Sequence, residues 1–491
     1  MSDDLEMHRR GRRRASAWAS VLAAGLFGAG CSVVHGVDRN PAPPVELPPE
    51  YVGEGTDAEV DPAARWWTSF GDPELDRLVA SAFEGNLDLE AAFSRLRSAQ
   101  AASGAVIAGY IPQVNGSGRI AGSRINTGAF TGRPGAAEFS QTTVDANLSY
   151  EVDLWGRIYG LASAAEVEIE ASASDVATMY ITVSANVVDT WLQAIEQRAL
   201  LALLDRQREA NATYLELVEL RFGQGLADAL DVLQQRQQVA ALDAQRPPVV
   251  ARLGVLQRQL AVLLGDPPGA VEVVRTALPE APPRPASGIP ARLLQNRPDV
   301  RSARLRVVSA DFQLGSAIAN RFPKLNLTGS IGSTGFNVTS GLFEDWLGNL
   351  AAGLVVPLTD QVRLDAEQKQ AQAQLDERVA NFGQTVLTAL REVEDAIAQE
   401  RQQETLLEEL EEQVAVARST LGEARSRYRN GLSDFLPVLT ALQSLQSAER
   451  SLVSARRQRL SLRVQLHRAL GGTWMNGLGP LAGQADEEPS S

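Results

Sequence analysis

The hydrophobic pattern of this 491-residue chain changes period several times, and the changes come in two matching sets. Leu78, Ala82, Leu89, Phe93, Leu96 and Ala99 recur at helical spacing up to Tyr110-Ile111-Pro112 and predict one amphipathic helix. Past Pro112 the period falls to two. Val144, Ala146, Leu148, Tyr150, Val152 and Leu154 alternate with Thr143, Asp145, Asn147, Ser149, Glu151 and Asp153. That describes a strand with one apolar and one polar face, and residues 114–125 are its weaker partner. Residues 157–222 then run without a proline, and at ~1.5 Å per residue such a run makes roughly 100 Å of helix.

The second set repeats the first. Residues 290–322 mirror the opening helix, with Asn86-Leu87-Asp88-Leu89 matching Arg297-Pro298-Asp299-Val300 and Pro112 matching Pro323. Leu325, Leu327, Gly329 and Ile331 alternate with Lys324, Asn326, Thr328 and Ser330, and residues 346–357 are the weaker partner. Residues 363–428 form the second long proline-free run. Within it Leu410, Val414, Ala417, Leu421, Ala424 and Tyr428 trace a coiled-coil seam, and Leu204, Leu215 and Phe222 are their counterparts in the first copy. Leu436, Leu439, Leu442, Leu445, Leu452 and Ala455 supply a facing stripe, so each long helix is expected to pack antiparallel on its successor. Pro247-Pro248 interrupts only the first copy, where a kink is expected.

The organisation that follows is a signal peptide over 1–30, an extended tether over 31–65, a first repeat over 66–270 and a proline-rich linker over 271–289. A second repeat covers 290–472, and 473–491 is a tail without expected order. The repeats contain hairpins at 113–155 and 324–357 and helical pairs at 157–265 and 363–471.

Between the helices of each pair the same turn occurs. Arg221-Phe222-Gly223-Gln224-Gly225-Leu226 is answered by Arg427-Tyr428-Arg429-Asn430-Gly431-Leu432. Gly225 and Gly431 are expected to take the positive φ that ends a helix. Asp228 and Asp434 are the candidate N-caps of the returning helices, which places Pro437 at the third helical position.

No stretch beyond the amino terminus reaches the ~18 apolar residues of a membrane helix, so further membrane contact must come from strands. Four strands cannot close a barrel, since single-chain examples start at about eight, and several copies must therefore share one. Two surface hairpins on a soluble protein are the other reading.

Charge and composition narrow the partners. The net charge of −14 with pI near 4.9 argues against nucleic acid. Three His, and Lys only at 324 and 369, leave neither a His-based metal site nor a phosphate loop, and no cofactor is expected beyond a covalent lipid. Arg9, Arg10, Arg12, Arg13 and Arg14 precede an apolar run that ends at Cys31, the only cysteine. This is a secretory signal layout, with acylation of Cys31 or plain cleavage near Gly30 as its outcomes.

Five stretches in order resemble the outer membrane efflux proteins of the TolC and OprM type, particularly the NodT-like lipoprotein branch. They are Trp67-Thr68-Ser69-Phe70-Gly71-Asp72-Pro73-Glu74-Leu75, Tyr150-Glu151-Val152-Asp153-Leu154-Trp155-Gly156-Arg157, Asn296-Arg297-Pro298-Asp299-Val300-Arg301, Phe322-Pro323-Lys324-Leu325 and the doubled turn. The resemblance implies a mainly α TolC-like fold: a homotrimer with a shared twelve-stranded β-barrel in the outer membrane, continuous with a periplasmic coiled-coil barrel. It implies a lipid on Cys31, a periplasmic adaptor and an inner-membrane pump of the RND type as partners, and passive export of small amphiphilic compounds. Gly225, Leu226, Gly431 and Leu432 correspond to the adaptor-contacting tips, braced by Arg221, Phe222, Arg427 and Tyr428. Asp231 with Tyr428 corresponds to a closed-state lock, although Asp231 also reads as a solvated helix-start carboxylate. Where relatives carry constricting acids this chain has Pro437 and Thr440, leaving Asp228 and Asp434 as substitutes. The exit channel of a protein-secretion system and a soluble coiled-coil scaffold are the competing functions.

Overall fold

A computed structural model of the chain describes residues 35–51, 64–126, 136–285, 290–336 and 342–477. The signal peptide, Cys31 and residues 478–491 lie outside them. The chain forms two compact units, each drawing on both sequence copies. One holds residues 35–44, Arg97–Ala171 and Ala303–Phe382, and the other holds Val45–Leu96, Ser172–Ser302 and the residues from 383 onward.

The first unit contains the sheet. Strands β1 (Gln113–Asn126), β2 (Ala136–Val152), β3 (Lys324–Phe336) and β4 (Trp346–Val355) pair antiparallel in the order β1-β2-β3-β4. The alternation seen in the sequence sets the register. Val114 lies opposite Leu148, Tyr150 opposite Leu327 and Leu325 opposite Leu354, so apolar residues gather on one face. Ser117 opposes Asp145 on the other face and donates to its carboxylate at 2.8 Å. A slip of one residue would exchange the two faces. Residues 35–40 of the expected tether are packed rather than free. His35 bonds Asp311 at 2.5 Å, Asn40 accepts from Arg304 at 2.6 Å, and Val37 packs with Ala164, Val308 and Phe312.

The expected opening helix is two helices, α1 (Pro73–Gly85) and α2 (Leu87–Ile107). Asn86 divides them because it closes one and opens the next: its N–H donates to Ala82 and its Oδ1 accepts from Leu89 at 3.0 Å. The long helix α3 (Arg157–Gly223) is continuous, and the returning α4 (Ala229–Leu264) runs on through Pro247-Pro248. The second copy gives a short α5 (Leu293–Asn296), α6 (Pro298–Ala319), α7 (Gln361–Arg429) and α8 (Leu436–Leu470).

One clamp serves both copies. Asn86 Nδ2 donates to the Leu263 carbonyl at 2.8 Å, and Arg297 Nη1 donates to the Ala469 carbonyl at 3.0 Å. Behind each clamp a glycine ends the returning helix at positive φ, Gly265 at 81° and Gly471 at 77°. A Cβ on Gly265 would stand 2.0 Å from the Gly85 carbonyl oxygen, and one on Gly471 2.5 Å from that of Asn296.

Of the residues expected in the tail, Trp474–Gly477 form a short 3-10 turn. Trp474 is buried against Trp67, at 4.8 Å between centroids, and against Phe83 and Tyr180, because the Trp66–Phe70 turn presents a wide aromatic surface that needs cover. His467 stacks on Trp66 at 5.2 Å. The linker is equally committed. Arg463, 2% exposed by side chain, donates to the buried Glu400 and to the Pro282 carbonyl, and Arg284 joins Glu400 at 3.2 Å.

α8 has two unlike faces. With α7 it buries Val438, Leu439, Leu442 and Leu445 among Val414, Leu421 and Ala424, in a cluster that also takes in Val218 of α3 and Val232 of α4. Toward α3 and α4 it presents amides: Gln207 donates to the Gln446 carbonyl at 3.2 Å, Gln443 to Gln238 at 2.8 Å and Gln238 to Gln446 at 3.3 Å.

Candidate functional site at the helical reversals

The two reversals are Schellman turns with the same hydrogen-bond pattern. Leu226 N–H donates to the Arg221 carbonyl at 2.8 Å and Gly225 N–H to Phe222 at 2.9 Å. Leu432 donates to Arg427 at 2.8 Å and Gly431 to Tyr428 at 3.1 Å. These bonds satisfy carbonyls that a helix end leaves open, and they need a left-handed residue, supplied by Gly225 and Gly431 at φ 71° each. A Cβ at either glycine meets no atom within 4 Å, so backbone conformation alone selects the residue.

All four expected bracing residues act through these carbonyls, but only two brace by side chain. The Arg221 guanidinium lies 4.5 Å from the centre of the Tyr428 ring, and Tyr428 is buried. Phe222 is 48% exposed and Arg427 is exposed. The sequence reading missed Phe435, which is fully buried with its ring 5.4 Å from that of Tyr428. Its aromatic partner at the turn was the available signal.

The caps differ between copies. Asp228 is the N-cap of α4, extended at φ −90° and ψ 154°, and its N–H donates to Asp231 Oδ2 at 3.3 Å. Asp434 is not the cap of α8. Burial of Phe435 beneath Tyr428 brings that residue to the N-cap position, so α8 starts at Leu436, Pro437 is its second residue and Asp434 stays exposed one position earlier.

Asp231 and Tyr428 are neighbours without a hydrogen bond, since the buried Tyr428 hydroxyl has no partner. Burial pushes the phenol above its usual pKa, with Arg221 pulling it down and Asp231 pushing it up. Around these groups Leu226, Leu230, Leu233, Leu432 and Leu436 are each more than half exposed, an apolar surface at the end of both helical pairs. Among the described residues no group of His, Cys, Asp and Glu could hold a metal ion, and no helix is long and apolar enough to cross a membrane.

The family description "Outer membrane efflux protein" matches residues 78–266 and 289–472. The pyoverdine export outer membrane protein OpmQ of Pseudomonas putida is 33% identical over 424 residues, covering 85% of this chain and 90% of that protein. The solvent efflux pump outer membrane protein SrpC of Pseudomonas putida is 30% identical over 461 residues, covering 91% and 96%. The solved structure of the outer-membrane channel OprN superposes with a TM-score of 0.79 at 27% identity, covering 88% of this chain and 99% of that one. Paired long helices with four strands in two strand-strand-helix repeats are the TolC-like fold. The chain belongs to the outer membrane efflux protein family, whose members are non-enzymatic outer-membrane channels of tripartite efflux pumps.

Proposed function

We propose that three copies of this chain close one twelve-stranded barrel in the outer membrane and continue it as a helical tunnel into the periplasm. One observation carries this reading: a sheet of four strands ends in β1 and β4, each paired on one side only among the described residues, and every residue of β4 is exposed. In lipid such edges must be paired, and closure between copies is the available solution. Each repeat, 66–270 and 290–472, gives the assembly one hairpin and one helical pair. A lipid on Cys31, after removal of residues 1–30, anchors each copy.

At the far end of the helices, Gly225-Leu226 and Gly431-Leu432 meet a periplasmic adaptor, which couples the channel to an inner-membrane pump of the RND type. The exposed leucines beside the two turns support a protein partner there. Asp231 and Tyr428, neighbours without a bond in the single chain, engage as a lock in the closed assembly that opening releases, and Asp228 and Asp434 place negative charge near the mouth. The channel itself is passive. Its relatives carry names that differ in cargo, pyoverdine for one and solvent for another, so the pump selects and the duct conducts small amphiphilic compounds.

Native outer membranes test the assembly. Heat-modifiable oligomers released only by detergent, which conduct ions in planar bilayers, are expected, and a monomer released by osmotic shock overturns the proposal. Radioactive palmitate is expected on the full chain and absent from Cys31→Ser; an unlabelled mature chain removes the anchor.

A further inference from the structure

If copies close a barrel, β4 of one must meet β1 of the next, and the internal duplication specifies how. Inside the chain the last strand of the first copy already pairs with the first strand of the second, with Leu148 opposite Gly329 and Ala146 opposite Ile331. The hairpins share one internal register, because the pair Gln113 and Ser149 becomes Lys324 and Val355, shifts of 211 and 206 residues. A ring of duplicated units repeats its joints, so the joint within the chain is the template for the joint between chains.

Resting on the shared barrel proposed above, we propose that β4 pairs antiparallel with β1 of a second copy in the register given by those shifts. Leu354 then lies opposite the partner's Gly118, Ala352 opposite the partner's Ile120 and Leu350 opposite the partner's Gly122. The first two pairs repeat the residue types of the internal joint, Leu with Gly and Ala with Ile.

Packing argues for this register over its neighbours. Inside the chain Leu148 covers Gly329, its Cβ and Cδ2 lying 3.6 Å from where a glycine Cβ would stand. Gly118 and Gly122 have nothing within 4 Å of that point, while Leu350 is 79% and Leu354 53% exposed. Each uncovered glycine thus receives an uncovered leucine, and the bulky Ile120 receives an alanine. On the opposite face Asp145 crowds Gly332 at the internal joint, and the corresponding residues between chains are Ala351 and the partner's Ala121, both small. A slip of two residues keeps the faces but sets Leu354 against the partner's Ile120 and leaves Ala352 over the partner's Gly122, crowding one site and hollowing the next.

The helical reversals obey the same rule. Arg221 lies over Tyr428 within the chain, and the shifted contact is Arg427 over the partner's Phe222. Both residues are exposed in the single chain, as a contact completed between copies requires.

Disulfide trapping in native outer membranes tests the register, with the unsubstituted full chain, which keeps Cys31, as background. Ile120→Cys combined with Ala352→Cys is expected to give covalent multimers on oxidation. Ile120→Cys with Leu350→Cys or Leu354→Cys is expected to give several-fold less, because residues two positions off the direct pair sit ~7–8 Å apart, too far for a relaxed disulfide. Stronger trapping by a shifted pair, or none in any pair of an oligomeric protein, overturns this register while leaving the barrel standing. A monomeric unsubstituted chain overturns the barrel itself. At the reversals, Phe222→Ala and Arg427→Ala are expected to lower the heat stability of the oligomer equally, and the double variant no further. Additive losses overturn that contact.

Discussion

Four glycines at helix ends share a positive φ, yet they should respond very differently to one added methyl group. At Gly225 and Gly431 the methyl enters open space, so alanine costs only the left-handed backbone, ~1–2 kcal/mol. At Gly265 the same backbone cost applies at φ 81°, and the Cβ would also stand 2.0 Å from the Gly85 carbonyl oxygen and 2.7 Å from its carbon. Both are main-chain atoms held between α1 and α4, so relief requires the helices to part. Overpacking of this kind costs ~1–3 kcal/mol, which brings Gly265→Ala to about 2–5 kcal/mol. Domain stabilities are roughly 5–15 kcal/mol, so this variant should lose a large share of its stability. Thermal unfolding of purified protein in detergent, with Gly225→Ala and Gly431→Ala beside it, measures the difference. Equal, mild losses at Gly265 and Gly431 would refute the claim that close helix crossing rather than backbone conformation dominates at Gly265. Function should rank the other way among oligomers that do form: a β-branched residue at Gly431 is expected to abolish export while leaving the oligomer intact.

The remaining predictions use buried polar groups. Burial, with Arg463 adding to it, holds the His467 pKa down to about 4 from an ordinary 6.5. The unfolded chain therefore binds the proton first, so the stability of neutral His467 is complete above about pH 6.5 and declines as the pH falls toward 4. The total is ~3 kcal/mol at 1.36 kcal/mol per unit, and His467→Phe, which keeps an aromatic ring against Trp66, should flatten that part of a melting-temperature profile against pH. Arg463→Met leaves Glu400 buried with only Arg284 beside it, and unfolding should show a loss of about 3 kcal/mol or more. Tyr428→Phe removes a hydroxyl that has no partner, so protomer stability should change by less than ~0.5 kcal/mol. In bilayer recordings Tyr428→Phe and Asp231→Ala should each raise conductance, with no further gain in the double variant.

The strands could be read from the sequence because one face must be apolar and the other polar, a two-residue period that few other structures produce. The reversals were readable because the Schellman turn depends on a glycine whose reason is local. What failed depended on distant residues. The break at Asn86 was hidden by an apolar period that continues across it, although Gly85, Asn86 and Asp88 carry end-and-start chemistry. The cap of α8 moved because Phe435 has a partner seven residues earlier in chain order, Tyr428 on α7. Trp474 fell within a tail without expected order until Trp67, Phe83 and Tyr180 converged on it. The side-chain bonds of Asn86 and Arg297 to carbonyls far along the chain had no sequence signal beyond their matched positions in the two copies.

The glutamines on one side of α8 make its two boundaries unequal in water. Parting α8 from α7 would wet leucine and valine surface at ~25 cal/mol for each Å². Separating it from Gln207 and Gln238 exchanges amide contacts for bonds to solvent, at a net ~1 kcal/mol or less apiece, and wets apolar surface only near Val218 and Val232. Any parting along that boundary costs least where the amides lie, and the valines Val218 and Val232 near the reversals set the resistance to it.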